Sequence, residues 1–203
     1  MSWAWSAAAT KVLTTATARK DELVPLAYKE LVVRQAVRLE TRKRRWLPKT
    51  HRLTPSAHPV EVPRELQPLA QALRDWVSRG DELGRAVRRV AAKTSAHDQV
   101  VELTQVALIE AGLLTAEKRR LRSPRLHRTQ AGVEAALAFS RLRDTEVPAV
   151  LLLGNRQLPE IDQAFRAFES AFDVDFSSFS SSVDGACHSA DGGGAHDGGG
   201  GHH

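Results

Sequence analysis

One cysteine, Cys187, stands in a chain of 203 residues. No intramolecular disulfide can form, so the fold does not depend on oxidation. A reducing compartment fits, and the cytoplasm is the expected location. No apolar run approaches the roughly 20 residues of a membrane-spanning helix. Phosphate-loop (G-x-x-x-x-G-K), nucleophile-elbow (G-x-S-x-G), zinc-protease (H-E-x-x-H) and strand-following G-x-G-x-x-G motifs are missing. The chain therefore reads as non-enzymatic, with no catalytic residue and no cofactor. Acid is missing from residues 1–20, which also lack the continuous apolar core of a secretory signal; they read as a flexible lead-in. Base is missing from Asp173 onward, where Asp173, Asp175, Asp184, Asp191 and Asp197 stand with Ser, Gly and His. Such a segment cannot bury enough surface to offset its ordering entropy, and 173–203 reads as a disordered tail.

The charge is accordingly lopsided. Residues 1–172 hold all 29 Lys and Arg but only 19 of the 24 acids, a net of +10, and the tail carries −5. A basic body with an acidic tail points to an anionic partner, or to a tail that screens the body.

Between these ends, residues 21–172 read as one mostly α domain. A first helix opens near Asp21, a fair N-cap, with Leu23, Leu26, Ala27, Glu30 and Leu31 at helical spacing; Pro25 fits only its first turn. A strand at 36–39 and a return through Trp46, Leu47 and Leu53 flank Thr41-Arg-Lys-Arg-Arg45, a basic hairpin. His51 to Pro63 reads as a connector. The next helix buries Leu66, Leu69, Ala70, Leu73, Trp76 and Val77 on one face. Gly80 ends it and Asp81 caps the following helix, which carries Leu83, Val87 and Val90. A longer helix from His97 to Ala111 buries Val100, Leu103 and Ala107. Gly112 stops it before a second basic hairpin, Glu117 to Arg128. Thr129 then caps a helix burying Val133, Ala136 and Leu137. Val147–Leu153 is a buried helical turn or a strand, and Pro159 opens a last helix with Ile161, Ala164, Phe165, Phe168 and Phe172 on its apolar face. Trp46 and Trp76 read as core; His51, His58, His97 and His127 read as surface.

Residues 65–143 thus follow the order of a winged helix-turn-helix: helix, short helix, longer helix, two-stranded hairpin, helix. Lys43-Arg44-Arg45 with His51-Arg52, and Lys118-Arg119-Arg120 with His127-Arg128, recur about 75 residues apart. Residues 21–56 and 65–143 are therefore candidates for a degenerate repeat. The expected fold is mostly α, with one or two winged-helix-like units, two short basic β-hairpins and a disordered C-terminal tail.

Ala111-Gly-Leu-Leu114 and His127-Arg-Thr-Gln-Ala-Gly132 resemble the closing "L-x-x-x-G-L-L … R-x-T-x-A-G" run of many winged-helix domains. More widely, Leu26-Ala27-Tyr28, Ala36-Val37, Leu108–Leu114, Thr129–Gly132, Val147–Leu158 with Gly154, and the Gly/Asp/His tail resemble an uncharacterised bacterial family, near_uncomplex, whose domain precedes a Gly-rich C-terminal tail. The resemblance spans about residues 20–203. The chain departs from it in lacking a Gly-Gly pair after Leu-Ala-Tyr and in favouring His over Cys in the tail. That family has no assigned activity, so the resemblance implies none. Glu30-Leu-Val-Val-Arg34 and Val37-Arg-Leu39 are also similar to the first repeat of the helical Golgi-phosphoprotein-like domains. This second resemblance implies contact with an anionic lipid.

The candidate site residues are mostly cations. Arg42, Lys43, Arg44, Arg45, Lys118, Arg119, Arg120, Arg122 and Arg125 lie on the hairpins, either in contact with phosphates or as solvated charge. Arg85, Arg88 and Arg89 offer a backbone contact or plain solvation. The helix 97–111 offers Gln99, Glu102, Thr104, Gln105 and Glu110 but no Arg or Lys, which weakens sequence-specific reading of DNA. In the tail, Cys187, His188, His196, His202 and His203 are metal-ligand types without the spacing of a closed zinc site. The expected function is contact with an unidentified protein partner. Non-specific binding of nucleic acid or anionic lipid by the hairpins, and metal binding by the tail, are the alternatives.

Overall fold

Ser6 starts the first helix. Its backbone is extended and its Oγ accepts from the Ala9 N–H at 3.1 Å, the bond an N-cap supplies. The computed structural model describes residues 4–44, 47–58, 60–77, 80–119, 122–142, 147–153 and 158–166. Helix α1 (Ala7–Thr15) ends where Ala16 turns left-handed, φ 54°. Ala7, Ala8, Ala9, Val12 and Leu13 have no exposed surface. Residues 4–20 thus do not lie apart from the domain as the expected lead-in: small side chains let α1 pack closely on its neighbours, and Val12 and Leu13 fill the core.

Helix α2 (Lys20–Val33) follows after a short turn. Arg19 occupies its N-cap without a side-chain bond, and Asp21 pairs with Arg19 at 2.8 Å instead of capping. Pro25 sits at the sixth helical position, beyond the first turn, and is buried. Strands β1 (Val37–Arg44) and β2 (Leu47–Pro55) pair antiparallel, Leu39 opposite Leu53, with a bulge between Arg42 and Arg44. The strand therefore consumes the start of the expected 51–63 connector. Val37 and Leu53 point inward, while Arg38, Glu40 and Arg42 stay exposed, the alternation of a half-buried sheet.

A 3-10 turn (Arg64–Leu66) leads into α3 (Gln67–Trp76). Trp76 is 43% exposed. The helix ends there; Val77, expected on the same face, is buried while the indole is not. Gly80, at φ +77°, then lets the chain reverse. Asp81 and Glu82 form strand β3, which joins β2. Asp81 does not cap α4 (Leu83–Lys93); it holds Arg89 at 2.6 Å. Helix α5 (Ala96–Glu110) follows, then β4 (Leu114–Arg119) paired antiparallel with β5 (Arg122–Arg128), α6 (Gln130–Ser140), α7 (Pro148–Leu153), and α8 over residues 159–166. Residues 148–153 thus resolve as helix. The expected tail 173–203, with Phe168 and Phe172, lies outside the described residues, as does Trp46.

Two cores result. The first joins α2, the first hairpin, α3, α4 and the start of α5, with Ala164 and Phe165 of α8. The second joins α1 to Leu108, Leu114 and Leu126 around the second hairpin. Leu23, early in α2, lies in the second core with Leu108, late in α5. Tyr28, later in α2, meets His97 at the start of α5. Helices α2 and α5 therefore cross antiparallel and serve both cores. The sheets do not follow the expected contiguous units: β3, which precedes α4, completes the sheet of the first hairpin, β1-β2-β3, and leaves β4-β5 as a two-stranded ribbon. What closes the second core is α1, from the other end of the chain.

The junction between the second hairpin and α6 explains its sequence. Gly112, at φ +69°, stops α5. The Thr129 N–H donates to the Leu113 carbonyl at 3.1 Å, and Thr129 Oγ1 donates to the Gly112 carbonyl at 2.7 Å while accepting from the Gly132 N–H at 3.0 Å. This brings α6 so close that a Cβ on Gly132 would lie 2.0 Å from the Leu113 carbonyl oxygen. Helix propensity alone makes Gly132→Ala stabilising by up to about 1 kcal/mol. The close approach reverses that sign: urea denaturation of Gly132→Ala is expected to show a loss of about 2–4 kcal/mol. A gain would show that α6 does not seat on Leu113 in this way.

Candidate functional site

The hairpins carry the candidate cations at opposite ends of the molecule. Each leaves the C-terminal end of one of the two antiparallel helices, the first after α2 and the second after α5. Arg42 and Arg125 are exposed, and neither makes an ion pair among the described residues. Lys43, Arg44, Lys118, Arg119 and Arg122 lie in the strands, but their side chains are outside the described set, as are Arg45 and Arg120 entirely. On the second hairpin the outward face is mixed rather than basic. Glu117 stands opposite Arg125, and His127 Nε2 lies 3.3 Å from Glu117 Oε2. On the first, Glu40 stands opposite Arg52, and Thr41 Oγ1 shares a hydrogen bond of 3.1 Å with His51 Nδ1.

Between the second hairpin, α5 and the α1–α2 turn runs a groove of about 860 Å³. Arg19, Lys20 and Arg125 line it with Val101 and Leu126. Two of these cations are already answered, Arg19 by Asp21 at 2.8 Å and Lys20 by Asp98 at 2.6 Å. The groove is therefore not a strongly positive channel. Arg85 and Arg88 of α4 are exposed, whereas Arg89 braces the α3–α4 turn through Asp81 and the Trp76 carbonyl. Helix α5 presents Gln99, Glu102 and Glu110 outward; Gln105 is half-buried. Thr104, expected at a polar outer position, is fully buried, and its hydroxyl has no hydrogen-bond partner among the described residues.

Of the exposed large apolar side chains, Trp76 on α3, Ile109 on α5, and Val133 and Leu137 on α6, the last two share one helix. Val133 is 38% and Leu137 53% exposed, where the sequence predicts both inside. The helix is apolar around most of its circumference, and α1 covers only the side carrying Ala135 and Ala136. Val133 and Leu137, one turn apart, remain outside beside the second hairpin.

Two further buried polar groups stand between the helices. His97 is 2% exposed, not on the surface, because the start of α5 inserts against α2. Its Nε2 shares a hydrogen bond of 3.0 Å with the Tyr28 hydroxyl, and the rings meet edge to face at 5.8 Å. The signal was present in the spacing of His97, Val100, Thr104 and Leu108, which are all buried on one helical stripe. Glu30 is the other: it is fully buried, accepts from the Ala7 N–H at 2.7 Å and from Arg34 Nε at 2.9 Å, and lies near Glu65, which accepts from Ser6 Oγ at 2.5 Å. Both groups are structural, since neither opens to solvent. The ligand types in the tail, Cys187, His188, His196, His202 and His203, lie outside the described residues; among those described, no group of three His, Cys, Asp or Glu is placed to hold a metal. Nor is any described helix long and apolar enough to cross a membrane. No family model, curated protein or solved structure matches the chain.

The two groups titrate with opposite consequences. Burial, then the nearby Lys20 charge, lowers His97 from 6.5 to about 4, against a smaller opposing effect of Asp98. The unfolded chain therefore binds more protons than the fold between these values, and stability is lost as pH falls through them. Burial raises Glu30 above 4.5 in spite of Ala7 and Arg34, so that group favours the fold at low pH and less so as pH rises. The difference between wild type and His97→Gln isolates the imidazole. Denaturant midpoints should show wild type losing up to about 3 kcal/mol relative to the variant from pH 6.5 to 4. Parallel curves would place His97 in solvent.

Proposed function

We propose that this chain is a non-enzymatic interaction module that binds a protein partner through α6 and the outer face of the second hairpin. The observation that carries this reading is the exposed apolar pair Val133 and Leu137, one turn apart on a helix that buries only Gly132 and half-buries Ala135, Ala136 and Phe139. Exposed apolar pairs at helical spacing, set beside a polar rim, are how proteins seat a partner. The neighbouring hairpin face supplies that rim, with Glu117, Arg125 and His127 of mixed charge. Winged-helix-like units are part of the proposal. The order of helices α3, α4 and α5 before the β4–β5 ribbon supports them, with the first hairpin and α2 as a degenerate second copy, although β3 pairs with β2 and not with that ribbon; such units serve protein contact as well as nucleic acid. Membership of the near_uncomplex family is likewise proposed, on the run Ala111–Leu114 and Thr129–Gly132 that the α6 junction uses.

Binding of nucleic acid or anionic lipid is the second reading, favoured by exposed Arg42 and Arg125. Their placement at opposite ends of the α2–α5 pair, and the acids on α5, count against one continuous phosphate track.

A photo-crosslinking amino acid in place of Leu137, in the full chain and in extract of its own cells, is expected to join one discrete protein. The same probe in place of Glu40 should not, and Val133→Lys should abolish the product. The proposal fails if position 137 yields nothing specific while the chain binds random duplex DNA with a steep salt dependence that Arg42→Ala with Arg125→Ala removes.

A further inference from the structure

We propose that a pocket at the base of the first hairpin binds a small phosphate-bearing anion. The pocket has a volume of about 450 Å³ and is lined by Arg38, Thr54, Ser56, His58 and Arg74, with Val77 among its apolar walls. Among the described residues no carboxylate lines it. It is separate from the hairpin tips and from α6, and the proposal does not rest on the protein-contact reading.

Each donor has a structural reason to be there. Arg38 and Thr54 are register partners across β1 and β2, so both belong to the outward face of the sheet. The Ser56 N–H donates to the Ala36 carbonyl at 3.0 Å, which closes the base of the hairpin and places the turn carrying Ser56 and His58. Arg74 comes from the last turn of α3, and its guanidinium donates to Gln71 Oε1 at 3.0 Å. The acid beside it in sequence, Asp75, accepts from Gln71 Nε2 at 2.8 Å.

The charge in this pocket is left over from the fold. Several bases on the same framework are answered, Arg34 by Glu30, Arg89 by Asp81 and Lys20 by Asp98, whereas Arg42, Arg85 and Arg88 stand exposed along the strand and on α4. Arg38 and Arg74 have no ion pair among the described residues. Two guanidiniums, two hydroxyls and an imidazole around one cavity form a donor set suited to the oxygens of a phosphate, since planar guanidiniums bind such groups through paired N–H bonds. The volume lies near the low end of ligand sites, which suits a phosphate with a small attached group.

Calorimetric titration of the full chain with inorganic phosphate in low-salt, phosphate-free buffer tests this. Saturable binding at one site is expected. Arg38→Gln and Arg74→Gln should each weaken it by about tenfold or more. Arg42→Gln, further along the same strand, should leave it within about twofold. All three side chains are exposed, and unchanged thermal midpoints would show that the variants fold. A parallel arm uses vesicles containing phosphatidic acid. Tighter vesicle binding with the same dependence on Arg38 and Arg74 assigns the phosphate to a lipid headgroup; weaker binding assigns it to a soluble ligand. No saturable phosphate binding, or an equal loss in Arg42→Gln, overturns the proposal in favour of diffuse surface charge.

Discussion

The fold depends on how the first turn of α1 is held. Two buried carboxylates meet it: Glu30 from α2 accepts the Ala7 N–H, and Glu65 from the turn before α3 accepts the Ser6 hydroxyl. Ser6 in turn caps the helix through Ala9. A helix N-terminus carries partial positive charge, so it is a favourable place for a carboxylate. Removing one partner from such a buried set leaves a charge without compensation, which costs about 3–5 kcal/mol. Arg34 completes the set from the next turn of α2. Through these contacts a helix from the N-terminus is fixed against elements some 25 and 60 residues downstream, and its apolar face becomes the floor of the second hairpin.

That constraint makes the two cores interdependent. The first hairpin takes β3 from the middle of the chain, and the second takes α1 from its beginning. Helices α2 and α5 serve both, joined by the Tyr28–His97 bond. Polar groups inside this frame are answered locally: the proton-poor His97 by a tyrosine hydroxyl, Glu30 by an amide and a guanidinium. At the surface, the apolar pair on α6 and the arginines at the hairpin base are among the groups left unanswered. The two proposals above rest on those surface groups; inside the fold, the buried Thr104 hydroxyl has no hydrogen-bond partner among the described residues.

Local signals were legible in the amino-acid sequence. Gly112 and Thr129 mark the end of α5 and the start of α6 because glycine tolerates positive φ and threonine caps. The Arg-rich turns mark both hairpins, and the stripe from Leu66 to Leu73 marks α3. Non-local facts were not legible. The composition of Ala7–Leu13 suits a frayed segment as well as a buried helix, and only Glu30 and Glu65 decide between them. Val133 and Leu137 have the spacing of a core face, but α1 covers the other side of α6. His97 belongs to an apolar stripe that its polarity disguised. The pairing of β3 with β2 reflects a crossing of units that contiguous reading cannot foresee. At the candidate site, Arg42 and Arg125 are exposed as their place on the basic hairpins suggests, whereas the grouping of Arg38, His58 and Arg74 needs three separate elements to be folded together.

Native-state hydrogen exchange on the full chain, resolved at single amides, tests the central claim most directly. If α1 is an integral wall of the second core, the Val12 and Leu13 amides will exchange only through global unfolding, with protection equal to that of Val100 and Leu108 on α5. Exchange of the α1 amides by local opening, orders of magnitude faster than α5, would contradict the account and return residues 1–20 to the status of a detachable lead-in.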